Sequence, residues 1–156
     1  MEIERKFLIS RLPIGLSECK CAHIEQGYLD FGDDDEPECR IRKLTEGDQT
    51  IYFYTEKGKG DLCREEEEYE IPEYSYKNLK ELVVSSILEK TRYYLPLGDL
   101  TAELDVYGGS LEGLMVAEVE FATIKEAESF TPPEYFGEEI TYDQKYRNKN
   151  LAKSNK

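Results

Sequence analysis

Tryptophan is absent from this chain, and histidine occurs once, as His23. With a single imidazole and no nucleophile motif around a serine or cysteine, a hydrolase built on a histidine-activated nucleophile is not expected. The cysteines, Cys19, Cys21, Cys39 and Cys63, form a C-x-C but no C-x-x-C and no second pair at zinc-site spacing. They are therefore read as reduced, structural thiols rather than a metal or redox centre. Basic residues are also short: 20 Lys and Arg stand against 34 Asp and Glu, for a formal net charge of -14. So acidic a surface argues against nucleic acid or an anionic membrane as a partner, while a local basic cluster could still hold a small anion. No apolar run approaches the length of a membrane span. The N-terminus reads as a charged strand rather than a basic segment followed by an apolar run, so no secretory leader is expected and the cytoplasm is the expected compartment.

What is present argues for a folded chain despite 35% charged residues. Twelve Tyr and six Phe supply core, and 156 residues suit one domain, expected to span 1–156. Alternation and turn residues predict strands over 2–9, 22–30, 38–45, 50–57, 62–71, 87–97, 99–109 and 113–122. A helix is expected in the stretch PEYSYKNLKELVVSSI, with Pro72 at its first position and Tyr76, Leu79, Leu82 and Val83 at helical spacing. IKEAESF reads as a short helix, PPEYFG as a turn, and YDQKYRNKNLAKSNK as a helix that frays into a basic tail. The class is α+β, with a mostly antiparallel sheet because the connections are short.

The strands share a feature. Successive strand side chains point to opposite faces, and on strand after strand one face is charged. The first strand sets Glu2, Glu4 and Lys6 together. Later strands group Arg40 with Arg42, Arg64 with Glu66 and Glu68, Lys90 with Arg92, Glu103 with Asp105, and Glu118 with Glu120; Lys57 ends another. A single such face is ordinarily solvated. Eight strands, however, suffice to close a barrel wide enough for one small ligand. The expected architecture is thus a closed eight-stranded antiparallel β tunnel with its charged face inward and helices packed outside. Ile3, Phe7 and Ile9 would then face outward, under the helices. A buried face of both signs must be paired, hydrated or filled. A polyphosphate held by Arg and Lys, with Mg²⁺ or Mn²⁺ held by carboxylates, meets that need.

At this point the residues resemble a known family. The N-terminal E-x-E-x-K (Glu2, Glu4, Lys6) is similar to the signature of the CYTH superfamily, the triphosphate tunnel metalloenzymes. QGYL at 26–29, RIRK at 40–43, R-x-E-x-E at 64–68, K-T-R at 90–92, ELD at 103–105, AEVEF at 117–121 and the closing GEEITYDQKYRNKNLA follow in family order. The short chain and its QGYL block look most like the small bacterial tripolyphosphatases. The resemblance implies divalent-metal-dependent hydrolysis of a small polyanionic substrate: inorganic tripolyphosphate first, or a nucleoside triphosphate or thiamine triphosphate. It implies metal ligands at Glu2, Glu4, Glu118 and Glu120, with Glu66, Glu68, Glu103 and Asp105 completing or orienting the shell. Arg40, Arg42, Lys57, Arg64, Lys90 and Arg92 would line the phosphate track. A Lys6–Tyr28 pair would take part in catalysis, and Lys90 could protonate the leaving group. Analogy with small family members implies a homodimer.

Two other functions stay open: a class IV adenylyl cyclase of the same fold, and a polyphosphate- or nucleotide-binding module without catalysis. No adenine-reading element is visible, and no charged position of the family blocks is missing. Several charged residues are assigned ordinary roles. Glu65 and Glu67 face outward and Glu70 lies solvated near the tunnel mouth. Lys145 and Arg147 could cover a tunnel end or aid solubility, and solubility is the expected role. The acidic run at 33–36 is a solvated loop.

Overall fold

The structure is a computed structural model that describes residues 1–33, 36–60 and 62–154. Asp34 and Asp35 of the acidic loop, Asp61 of the GKGD turn and the last two residues of the basic tail lie outside it. Ten strands make one antiparallel sheet: β1 (Glu2–Ile9), β2 (Cys21–Asp30), β3 (Glu38–Glu46), β4 (Gln49–Lys57), β5 (Cys63–Arg64), β6 (Glu66–Ile71), β7 (Leu88–Leu97), β8 (Leu100–Tyr107), β9 (Met115–Glu120) and β10 (Phe136–Glu139). The hydrogen-bonded order is β10-β1-β9-β8-β7-β2-β3-β4-β6, and β5 adds a two-residue ladder to β1 through Glu2↔Arg64 and Ile3↔Cys63. Among the described residues three α-helices accompany it: α1 (Glu73–Lys80), α2 (Ile124–Ser129) and α3 (Asn148–Ser154).

Eight strands were expected and ten are found. The stretch 62–71 divides at Glu65, because its first part pairs with β1 while the rest pairs with β4. The PPEYFG stretch, expected to turn, leads into β10, which pairs with the outer edge of β1 through Phe7↔Glu139 and Ile9↔Phe136. The path has β10 and β6 at its two ends, so closure into an eight-stranded barrel is not part of the observed topology.

One hydrophobic core cluster lies on the face of β1 opposite its Glu2, Glu4 and Lys6, and a second, around Tyr28, Leu88 and Val116, takes in Leu8. Phe7 and Ile9 pack with Leu104, Val119, Phe121 and Phe136 in one buried cluster that also takes in Ala127 of α2. The Phe7 and Phe136 rings lie 5.0 Å apart. Burying a Phe or Leu side chain in this way stabilises by about 1.5–3 kcal/mol. α2 is started by Thr123, whose hydroxyl accepts from the Glu126 N–H at 3.1 Å, as its Thr-x-x-Glu sequence favours. Arg5, on the same outward face, clamps β10 to β1 through two hydrogen bonds to Glu139, at 2.9 and 2.7 Å, and reaches the Ala127 carbonyl at 2.8 Å.

α1 stops at Lys80, short of the expected span. Tyr76 is buried against the outer side of β4, its ring 4.9 Å from that of Tyr52. Leu82, by contrast, is 65% exposed. The β-branched pair Val83-Val84 resists helix, and the Val84 N–H bonds the Tyr28 carbonyl at 2.8 Å instead. This loop explains the glycine of QGYL: a Cβ on Gly27 would stand 2.9 Å from both Val83 and Ile87. Among the described residues, no helix is long and apolar enough to cross a membrane.

Candidate active site

The ladders place the charged residues side by side. Glu4 stands opposite Glu120 and Lys6 opposite Glu118 across β1 and β9. Glu103 stands opposite Glu118 across β8 and β9, Tyr28 opposite Arg40 across β2 and β3, and Lys57 between Glu38 and Glu66. These side chains converge on a cavity of about 180 Å³. Of the expected residues, Glu2, Glu4, Lys6, Tyr28, Arg40, Arg42, Lys57, Arg64, Glu66, Arg92, Glu103, Glu118 and Glu120 line it.

Lys90, Asp105 and Glu68 do not. Asp105 is buried beneath Arg92, which donates to its two oxygens at 2.8 and 2.9 Å. The Lys90 ammonium sits 2.9 Å from the same carboxylate and 5.4 Å from the Tyr107 ring centre. Lys90 borders a second, more open hollow of about 440 Å³, shared with His23 and Tyr107. Glu68 lies outside the cavity, accepting from Thr55 at 2.7 Å and Arg42 at 3.2 Å. Lys6 and Tyr28 both face the cavity, with different partners: the Lys6 ammonium is 3.3 Å from Glu118, and the Tyr28 hydroxyl accepts from Gln26 at 3.2 Å.

Four further residues line the cavity. Glu38 accepts from Arg64 at 3.1 Å. It sits two residues before Arg40 on the same strand face, so the alternation that exposed Arg40 and Arg42 reaches it too. Arg147, Asn148 and Lys149 come from the C-terminal segment, so that Arg147 borders the cavity. Arg147 donates to the Gly60 carbonyl at 2.5 Å and Lys149 to the Phe31 carbonyl at 3.1 Å, while Asn148 accepts from the Tyr107 hydroxyl. Leu151 and Ala152 are buried and anchor the segment. No strand periodicity marks these residues; only the docking of α3 brings them in. Lys145 is exposed.

The electrostatics divide the cavity. At the β1–β9 wall, burial and then the neighbouring Glu118 charge push the Glu4 carboxyl up to about 8. Burial raises Glu2 against the pull of Lys57, and burial with Glu2 nearby raises Glu120. Glu118 is held well below the usual carboxylate range: burial works against this, and Lys6, Arg92 and Lys90 overcome it. Across the cavity, Arg40 and Arg42 each have a buried Nε with no hydrogen-bond partner. The Glu66 Oε2, 3.5 Å from the Lys57 ammonium, accepts no hydrogen bond either. Such atoms cost free energy unless a ligand or water completes them. Unmet guanidinium N–H groups suit phosphate oxygens. Crowded carboxylates whose ionisation burial opposes suit a hard divalent cation. Among the described residues no group of three acidic, histidine or cysteine side chains is already gathered at metal-binding distance.

No family model matches the sequence. The chain is 43% identical over 155 residues to an inorganic triphosphatase of Nitrosomonas europaea, covering 98% of this chain and 97% of that protein. The chain belongs to the inorganic triphosphatases of the CYTH superfamily. A second inorganic triphosphatase, from Acetivibrio thermocellus, is 34% identical over 154 residues, covering 98% of this chain and 94% of that one. Among solved structures, the crystal structure of the inorganic triphosphatase NE1496 superposes with a TM-score of 0.70 at 40% identity, over 97% of this chain and 94% of that one. A putative adenylate cyclase from Bacillus halodurans, 18% identical over 86% of this chain and 94% of its own with a TM-score of 0.56, shares the fold of these triphosphatases.

Proposed function

We propose that the protein hydrolyses inorganic tripolyphosphate, in a divalent-metal-dependent reaction, inside the cavity described above. The observation that carries this reading is the pairing of two unmet needs in one small space. Arg40 and Arg42 offer buried, unbonded N–H groups, and burial together with neighbouring carboxylates raises Glu2, Glu4 and Glu120 in spite of Lys57. A linear triphosphate with its cation supplies both. In this reading β5 and β6 act as one bent wall, so that β1 and β6 close the strands into a tunnel. The cytoplasm is the proposed compartment and a homodimer the proposed assembly.

The residues divide the work. Arg40, Arg42 and Arg92 grip non-bridging phosphate oxygens through their planar forks. Asp105 and Lys90 fix Arg92 from behind. Lys6 and Lys57 face the acids and can turn toward charge that develops on the leaving phosphate. Tyr28, whose hydroxyl burial keeps protonated, donates a hydrogen bond. Glu2, Glu4, Glu118 and Glu120, with Glu66 and Glu103 beside them, would hold Mg²⁺ or Mn²⁺, which when bound neutralises phosphate oxygens and acidifies a water. At about 180 Å³ the cavity favours a minimal triphosphate over a nucleotide that must also seat a base and sugar.

The test is a substrate panel. Purified protein with Mg²⁺ or Mn²⁺ receives tripolyphosphate, ATP or thiamine triphosphate, and phosphate, pyrophosphate and cyclic AMP are measured. Fastest release of phosphate and pyrophosphate from tripolyphosphate is expected. Cyclic AMP as the main product would replace the hydrolase with a cyclase, and tight binding without turnover would replace it with a binding module.

A further inference from the structure

Gln26 is an unexpected residue for its position. It stands on the cavity-facing side of β2, opposite Arg42 on β3 and Leu88 on β7, and is fully buried. Its neighbours Ile24 and Leu88 are buried aliphatics, and an aliphatic side chain would fill the place with no polar group to satisfy. A buried amide is tolerated when bonded. Here Nε2 donates to the Tyr28 hydroxyl at 3.2 Å while Oε1 has no partner, an omission that costs free energy. The half of the amide that is satisfied is the half that touches Tyr28.

The direction of that bond matters. A phenol oxygen carries one hydrogen and two lone pairs. The Gln26 N–H occupies a lone pair, so the Tyr28 hydrogen points away from Gln26. Arg40, opposite Tyr28 on β3, is a donor only and cannot receive it. Glu38, the carboxylate on that side, accepts from Arg64 at 3.1 Å, and among the described residues no hydrogen bond joins it to the Tyr28 hydroxyl. The backbone of Tyr28 is fixed as well, its N–H donating to Ser85 Oγ at 3.0 Å and its carbonyl accepting from Val84 at 2.8 Å. Among the described residues the Tyr28 hydroxyl donates to no protein acceptor, and a molecule in the cavity can supply one.

We propose that Gln26 is a positioning residue: it turns the Tyr28 hydroxyl so that its hydrogen meets a phosphate oxygen, which makes Tyr28 a neutral hydrogen-bond donor and not a base. The inference rests on the triphosphatase reading above. No proton is transferred; the phenol keeps its hydrogen while the bonded oxygen gains negative charge as the P–O bond breaks.

The test is a double-mutant cycle on tripolyphosphate hydrolysis with Mg²⁺. Gln26→Met keeps length, removes both polar groups and is expected to melt no lower than wild type. It should lower kcat about 10-fold, the worth of one hydrogen bond to a charged group, with KM within about twofold. In a Tyr28→Phe background the same substitution should change nothing further, since its effect runs through the hydroxyl. Gln26→Glu places an acceptor where the donor was, captures the hydroxyl hydrogen, and should fall to the Tyr28→Phe rate; it serves equally if Gln26→Met fails to fold. Wild-type kcat in Gln26→Met, an equal loss in both backgrounds, or a Gln26→Glu rate well above that of Tyr28→Phe overturns the assignment. A wild-type protein that releases no phosphate from tripolyphosphate overturns the functional reading itself, and this outcome is read before any variant.

Discussion

Arg92 and Asp105 face each other across β7 and β8 and form a two-bond pair, Nε to Oδ1 at 2.8 Å and Nη2 to Oδ2 at 2.9 Å, below the floor of the cavity. Lys90 joins from the same strand as Arg92, so two buried cations share one buried carboxylate. Burial pulls the Lys90 ammonium down to about 8, with Asp105 opposing. Removing the acid leaves Lys90 without its carboxylate and Arg92 with Glu103 alone, at 3.4 Å. Asp105→Ala is expected to destabilise the fold by about 3–5 kcal/mol in urea unfolding. Lys90→Met, which leaves the Arg92–Asp105 pair intact, should cost less.

The C-terminal segment supplies cations that belong to no strand. Arg147 and Lys149 line the cavity while bonded to the Gly60 and Phe31 carbonyls. The double substitution Arg147→Ala with Lys149→Ala is expected to raise KM for tripolyphosphate by about 10-fold or more, with a smaller change in kcat, because these groups bind the ground state and the transition state alike. Lys145→Ala, on an exposed residue of the same segment, should leave both constants unchanged.

Acid stability has a separable source on the outer face. The Arg5 hydrogen bonds hold the Glu139 carboxyl below its ordinary value. A carboxylate with a depressed folded pKa adds stability above its unfolded pKa, near 4.5, and loses it as pH falls through the folded value. Thermal midpoints of wild type and Arg5→Gln, measured from pH 7 to pH 3, should therefore differ most at pH 7 and converge at the acid end. A difference independent of pH would assign Arg5 to packing alone.

Much of this was legible in the residues because a strand's two-residue period is rigid. Once Glu4, Arg40, Lys57 and Glu118 were placed on faces, β-sheet geometry brought them together without further information. The inside–outside assignment of β1 followed the same way: Phe7 and Ile9 are core on the side away from Glu4 and Lys6. Glu38 was within reach of that pattern. Arg147 and Asn148 were not, because their place depends on how α3 docks through Leu151 and Ala152 rather than on any local period. β10 escaped notice because its four residues form a strand only beside β1. α1 is shorter than its sequence pattern suggests because the Tyr28 carbonyl claims the Val84 N–H, a tertiary contact that local propensity does not contain. Lys90 shares a face with Arg92, but parity does not say which of the two reaches the cavity and which is used up by Asp105.

The claim on which the rest depends is that the charged face of the strands is the working one. Glu4 and Glu67 separate the alternatives: Glu4 lines the cavity, and Glu67 lies on β6 as an exposed acid bonded to the Tyr69 hydroxyl. Phosphate release from tripolyphosphate with Mg²⁺ is to be compared in Glu4→Gln and Glu67→Gln, two identical substitutions. Glu4→Gln is expected to lower kcat/KM by about 10²-fold or more, and Glu67→Gln to leave it unchanged. Equal rates in the two variants, whether both active or both inactive, would contradict the assignment of the inward face as the active site.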